Sequence, residues 1–190
     1  MSIFDTLLEE HRLIRRYLNN AQAALDMMSE DKLPDKEFFE LGLDFTRLFS
    51  DKYHHYKEEY ELFMLLAIKK KGEIDGQITA LRDQHERARN FTSEISNSIE
   101  GYSKGEERHV SKIAEYLGYY VVMLRQHINR EDHAFYPLAK ATLSDDEIKD
   151  IEAAFGRADK KFGADFFDKN ESMVEKMEAV LLKQFGDDYT

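Results

Sequence analysis

The strings HYKEEYELF, residues 55–63, and HINREDHAF, residues 127–135, share the pattern His-x3-Glu-x3-Phe. Steps of four place an imidazole, a carboxylate and a ring one above another on a single face of an α-helix. Neither string contains Gly or Pro. The fold turns on whether that shared face points into a core or out to water.

Reading outward from residues 55–63, the stripe at helical spacing runs Leu41, Phe45, Leu48, Lys52, His55, Glu59, Leu62, Leu66. Around residues 127–135 it runs Ile113, Tyr116, Tyr120, Met123, His127, Glu131, Ala134. Two other segments carry Phe4, Leu7, His11, Ile14, Leu18 and Ile74, Ile78, Leu81, His85, Ala88. Each stripe is the inward face of an amphipathic helix. Pro34, Gly72 with Gly76, Gly101 with Gly105, and Pro137 cut the chain between these segments. Short connections make neighbouring helices antiparallel. The expected fold is all-α: an up-down-up-down four-helix bundle over residues 1–143, with additional C-terminal helices. Ser144 is a good N-cap for a fifth helix. A break is expected over residues 156–163. A last amphipathic segment, 164–185, then completes a C-terminal extension, 144–190, packed on the bundle.

Composition narrows the function. Lys plus Arg is 27 and Asp plus Glu is 38 in 190 residues, a net charge of −11. That balance argues against nucleic acid and anionic membranes as partners. The chain has no cysteine, which excludes disulfides, thiolate zinc sites, iron–sulfur clusters and cysteine nucleophiles. The longest apolar run, Leu62 to Ile68, is too short to span a bilayer. The start, MSIFDTLLEEH, is acidic where a secretion signal is basic. A soluble, cytoplasmic protein is expected.

His11, His55, His85, His127, Glu59 and Glu131 occupy stripe positions where Leu or Ile would be expected. A buried ionisable group is costly unless it is paired or bound to a metal. A single stripe histidine is commonly a hydrogen-bonded core residue. Here there are four, one per helix, all roughly 12–22 Å from the same bundle end at 1.5 Å per residue. That points to six ligands in one layer. Imidazole and carboxylate without sulfur suit iron, manganese, zinc or copper, and zinc usually takes four ligands. Six ligands over two irons give about two histidines each, with two bridging carboxylates.

His11 in EEHRLIR, the string from His54 to Glu59, His85 in RDQHERAR, and HINRE with FYP after it resemble the hemerythrin-like, HHE cation-binding family, over about residues 3–141. The resemblance implies a bundle around two Fe ions with an oxo or hydroxo bridge. It makes Glu59 and Glu131 the bridging carboxylates, and His11, His55, His85 and His127 the terminal ligands; Mn or Zn are possible substitutes. The family's oxygen carriers use seven ligands, with a second histidine one turn away on helix three. Here those positions are Leu81 and Arg89. Six ligands and a bridging oxygen leave about two of about 12 octahedral positions open, where a carrier keeps one. That favours reactivity, sensing or lability over reversible carriage. The family's iron-centre repair proteins carry a cysteine-containing N-terminal region, and this chain has no cysteine.

Other residues are read as bystanders. His54 and Glu58 repeat the four-residue spacing one position over, next to Arg47, Asp51 and Glu61, and are expected to be surface or supporting groups. Glu58 is the candidate to fill an open position. Glu106-x-x-His109 is a single ferritin-like copy, His133 an exposed residue, and Tyr116 and Tyr120 core residues. Leu7, Leu62, Phe63, Met123 and Phe135 are expected to wall the site. The expected function is binding of, or reaction with, a small oxidant: dioxygen, peroxide or nitric oxide. The rivals are iron handling or iron/redox sensing read through the last helices, and a metal-free helical interaction module.

Overall fold

A computed structural model describes residues 2–186. Among these the chain forms six helices and no strand. Helix α1 is Ile3–Ser29 and opens on a capping box between Ser2 and Asp5. Helix α2 runs over residues 36–70 and α3 over Asp75–Ser103. Helix α4 runs over residues 107–142, α5 is Asp145–Phe162 and α6 is Phe166–Phe185.

Cross-helix pairs fix the topology. Glu10 meets His54 and Tyr17 meets Phe45; Asp51 meets Arg89 and Phe39 meets Tyr102. His85 meets His127 and Phe91 meets Tyr116, while His11 meets Asp132 and Asn19 meets Arg125. In every pair of neighbours one number rises as the other falls. The four long helices therefore form the expected antiparallel bundle. Helices α5 and α6 lie along α1 and α2: Phe166 stacks on Phe49, Phe167 meets Phe49 and Phe162 meets Tyr53 edge-on, and Asn20 donates to the Val174 carbonyl. The extension thus packs on the bundle as far as it is described; residues 187–190 lie outside the described residues.

Three punctuation marks act differently from expectation. The capping box at Ser144 starts α5, but Gly156 lies inside that helix, and the break comes only at Gly163, at φ +104°. Gly76 likewise sits inside α3. Pro137 does not end α4. It follows a widened π turn, Glu131–Phe135, and the helix continues to Thr142. A proline removes a helical hydrogen bond and crowds the preceding turn; i→i+5 bonding in that turn relaxes the conflict.

Helix α2 shows the larger departure. Two π segments, Thr46–His55 and Lys57–Leu62, interrupt it without breaking it. Each i→i+5 turn absorbs more residues than an α turn, so the inward face changes register. Phe45, Phe49 and Tyr53 are buried in steps of four, then His54, Glu58, Leu62 and Leu66, one residue later. Leu48 and Lys52, expected inside, are exposed.

Polar side chains divide the core in two. One apolar cluster gathers Leu13, Tyr17, Phe45, Tyr120 and Leu124 with Val174 and Met177 of α6. The other gathers Leu7, Leu62, Phe63, Leu81 and Phe135. Burying each such side chain is worth about 1.5–3 kcal/mol. The layer between them is held in place by apolar packing on both sides.

Candidate metal centre

That layer contains seven buried side chains: His11 on α1; His54, His55 and Glu58 on α2; His85 on α3; His127 and Glu131 on α4. Their donor atoms form two groups. His55, Glu58, His85 and His127 make one; His11, His54, Glu58 and Glu131 make the other. Within each group the donors lie within 4.8 Å of one another. Glu58 belongs to both. Its Oε2 lies 3.4 Å from His85 Nε2 and 3.6 Å from His54 Nε2. Glu131 mirrors it, with Oε2 3.4 Å from His11 Nε2 and 3.2 Å from His127 Nε2. Each carboxylate therefore spans the two groups.

The structure brings together His11, His55, His85, His127 and Glu131 as the sequence reading has them. It does not bring in Glu59. That carboxylate stands outside the layer, where Oε1 accepts from His85 Nδ1 at 2.7 Å and from Arg89 at 2.8 Å. Glu58 takes its place, and His54 joins although it was read as a bystander. The π turns of α2 are the cause, since they rotate residues 54 and 58 inward. Tyr136 was also missed as a site residue. Its hydroxyl donates to Glu58 Oε1 at 2.6 Å, and its ring stacks on His11. Leu7, Leu62, Phe63 and Phe135 are buried in the adjoining cluster, whereas Met123 lines a surface groove with Phe91 and Tyr119. Tyr120 is core, and His133 donates to the Asn129 carbonyl at the exterior. His109 lies over Gly101, where a Cβ would fall inside its ring.

The outer nitrogens decide whether a cation fits. Nδ1 of His11 donates to Asp132 at 2.6 Å, and that of His54 to Glu10 at 2.8 Å. Nδ1 of His127 donates to Gln84 Oε1 at 3.0 Å, and that of His85 is held by Glu59. An imidazole committed through Nδ1–H keeps its Nε2 lone pair free for a metal. His85 and His127 turn those lone pairs towards each other at 3.0 Å. Two lone pairs at that distance repel, and a cation between ligands removes the conflict. Three acceptor atoms in the same layer, Glu58 Oε2 and both oxygens of Glu131, have no hydrogen-bond partner, nor does His54 Nε2. Buried polar atoms are rarely left unpaired. The donor set fits metal ions of the kind that imidazole and carboxylate bind.

Protonation agrees with that role. Burial pushes the pKa of His11 and of His55 down to about 4, and holds His85 and His127 well below the ordinary imidazole value. These four are neutral donors. Burial also pulls on His54, but the carboxylates of Glu58 and Glu10 outweigh it and raise its pKa. Burial, then the neighbouring Glu58 carboxylate, raises Glu131 well above the usual range, and burial raises Glu58.

Three outer carboxyl groups carry their own cations. Asp132 is paired with Arg15, Glu59 with Arg89, and Glu10 with Lys57. Among the described residues no helix is long and apolar enough to cross a membrane.

Comparison with known protein families matches residues 2–139 to the hemerythrin HHE cation binding domain. No curated protein and no solved structure gives a significant match. With the helical bundle, the two His/Glu groups and a match over most of its length, the chain belongs to the hemerythrin HHE cation-binding family.

Proposed function

We propose that this is a cytoplasmic, non-haem di-iron protein that binds or reacts with a small oxidant, namely dioxygen, peroxide or nitric oxide. The observation that carries the reading is the pair of interlocked donor groups sharing Glu58, fully buried and with lone pairs left unpartnered. The seven side chains are the residues that would hold the ions. When bound, a ferrous pair supplies two electrons and exchangeable coordination positions.

The chain's own residues do the rest. Five imidazole nitrogens and four carboxylate oxygens would supply most of the about 12 donors that two six-coordinate ions take. With His54 the set has seven donor residues instead of six, the same number as in the family's oxygen carriers. Asp132, Glu10, Glu59 and Gln84 orient four imidazoles through Nδ1. Such outer partners commonly change metal affinity 10–100-fold. Leu7, Leu62, Phe63 and Phe135 keep water from the layer. The Tyr136 hydroxyl holds a proton at Glu58 Oε1, inside the buried layer.

A second reading, iron handling or iron/redox sensing without turnover, is favoured by the seating of α5 and α6 on the two helices that carry His11 and His54. The experiment is anaerobic loading with ferrous iron followed by oxygen. Two irons per chain and an oxygen-dependent absorption band, both lost in Glu58→Ala, support the oxidant reading. Two irons with no spectral response to oxygen, peroxide or nitric oxide, and iron-dependent protease protection of residues 144–186, support the binding role. No iron uptake rejects both.

A further inference from the structure

Lys57 is fully buried, its side chain 0 % exposed, one residue from Glu58. Its Nζ lies 2.6 Å from Glu10 Oε1, 3.0 Å from Asp159 Oδ1 and 3.6 Å from the centre of the Tyr53 ring. A buried cation is costly unless paired and hydrogen-bonded, so this geometry fixes all the groups around it. Glu10 uses each oxygen once, Oε1 on Lys57 and Oε2 on His54 Nδ1. Asp159 is held in turn by the Tyr53 hydroxyl at 2.8 Å. Arg15 and Arg89, the other two outer cations, are each about one-third exposed and meet carboxylates of the bundle alone. Lys57 alone among the three is reached from α5, which lies beyond the matched family domain.

We propose that Asp159, acting through Lys57 and Glu10, positions His54, so that helix α5 completes one of the two metal positions. Asp159 and Lys57 are positioning residues. Without Asp159, Lys57 loses one of its two carboxylate partners and can withdraw from Glu10. Without Lys57, Glu10 Oε1 has no partner, and the carboxyl group turns away from His54. The loss falls on the group containing His11, His54, Glu58 and Glu131. The group containing His55 and His85 keeps its own outer partner, Glu59 with Arg89.

The inference rests on the two-metal reading, and cobalt(II) titration of the full chain separates the two. Affinities are read by calorimetry and site environment by the cobalt d–d bands. The unaltered chain takes two cobalt ions. In Asp159→Ala one binding step weakens about tenfold and in Lys57→Met 10–100-fold, with one set of bands perturbed and the other step within twofold of its original affinity. Asp159→Glu restores the weakened step. Asp159 is half-exposed, so its replacement leaves the fold intact and keeps the test decisive if Lys57→Met fails to fold. Two ions in the unaltered chain, with both steps weakened alike or neither weakened in Asp159→Ala, overturn the positioning role alone. Fewer than two ions in the unaltered chain overturn the two-metal reading, and the proposal with it.

Discussion

His85 and His127 face each other through Nε2 at 3.0 Å, while their Nδ1 atoms are committed to Glu59 and Gln84. This contact has no hydrogen between its atoms when both imidazoles are neutral, and burial keeps both neutral. A cation among the donors relieves the repulsion between the two lone pairs. Replacing Glu59 by Gln weakens the hold on His85 without removing a donor. Metal content at saturation stays unchanged, and affinity on the His55/His85 side falls 10–100-fold. Calorimetric titration checks this; loss of half the metal at saturation would instead make Glu59 a ligand.

The bundle was legible because its four stripes, its short connections and the N-cap at Ser144 all depend on local spacing. The placement of the candidate ligands was legible where the steps of three and four hold: His11, His85 and His127 lie in regular helix, and Glu131, at the start of its π turn, keeps the step of four from His127. It was misread on α2 because a π turn leaves no residue signature of its own. The shared Phe63 and Phe135 align His55 with His127. The carboxylates that enter the layer align His54 with His127 and Glu58 with Glu131, one residue earlier. The doubled His54–His55 pair and the doubled Glu58–Glu59 pair were the available signal: in both, two neighbouring polar residues compete for one inward position.

Tyr136→Phe removes the hydroxyl that donates to Glu58 Oε1 and leaves all seven donors. A buried acceptor without its donor costs about 1–3 kcal/mol. Urea denaturation of the metal-free variant will show a loss of that size, while the loaded variant retains two ions. Loss of metal in this variant would mean that the phenol itself is a ligand.

Acid affects the metal-free protein through its histidines. His11 and His55 titrate at about 4 when folded and near 6.5 when unfolded. Below pH 6.5 the unfolded chain binds more protons, so stability falls as pH drops, and the fall ends near pH 4. Each fully separated group contributes about 1.4 kcal/mol per pH unit in that window. Glu58 and Glu131, raised in the fold, act oppositely and lose their contribution as pH rises above 4.5. His54, whose pKa is raised, is charged in both states over most of this window, and four depressed imidazoles outnumber two raised carboxyls, so the net change between pH 6.5 and 4.5 is a loss. Metal uptake displaces the carboxyl protons, so the gain in stability on loading grows with pH. Denaturation series at several pH values, with and without metal, measure both signs; metal-free stability that rises from pH 6.5 to 4.5 contradicts the assignment.

Gly101→Ala tests the helix contact that places α3 beside α4. A Cβ there falls within the His109 ring, and overpacking of this kind costs about 1–3 kcal/mol. Adding His109→Ala returns most of the loss. Thermal denaturation of the single and double variants will show it, with metal content unchanged in both. Equal stability of the single variant and the unaltered chain would mean that His109 moves aside freely.

The most direct measurement is metal per chain after reconstitution and desalting, in the unaltered protein and in Glu58→Ala. If Glu58 joins two four-donor groups, the unaltered chain retains two ions and the variant fewer than one. Zero ions in the unaltered chain, or two ions in Glu58→Ala, would contradict the shared-carboxylate centre.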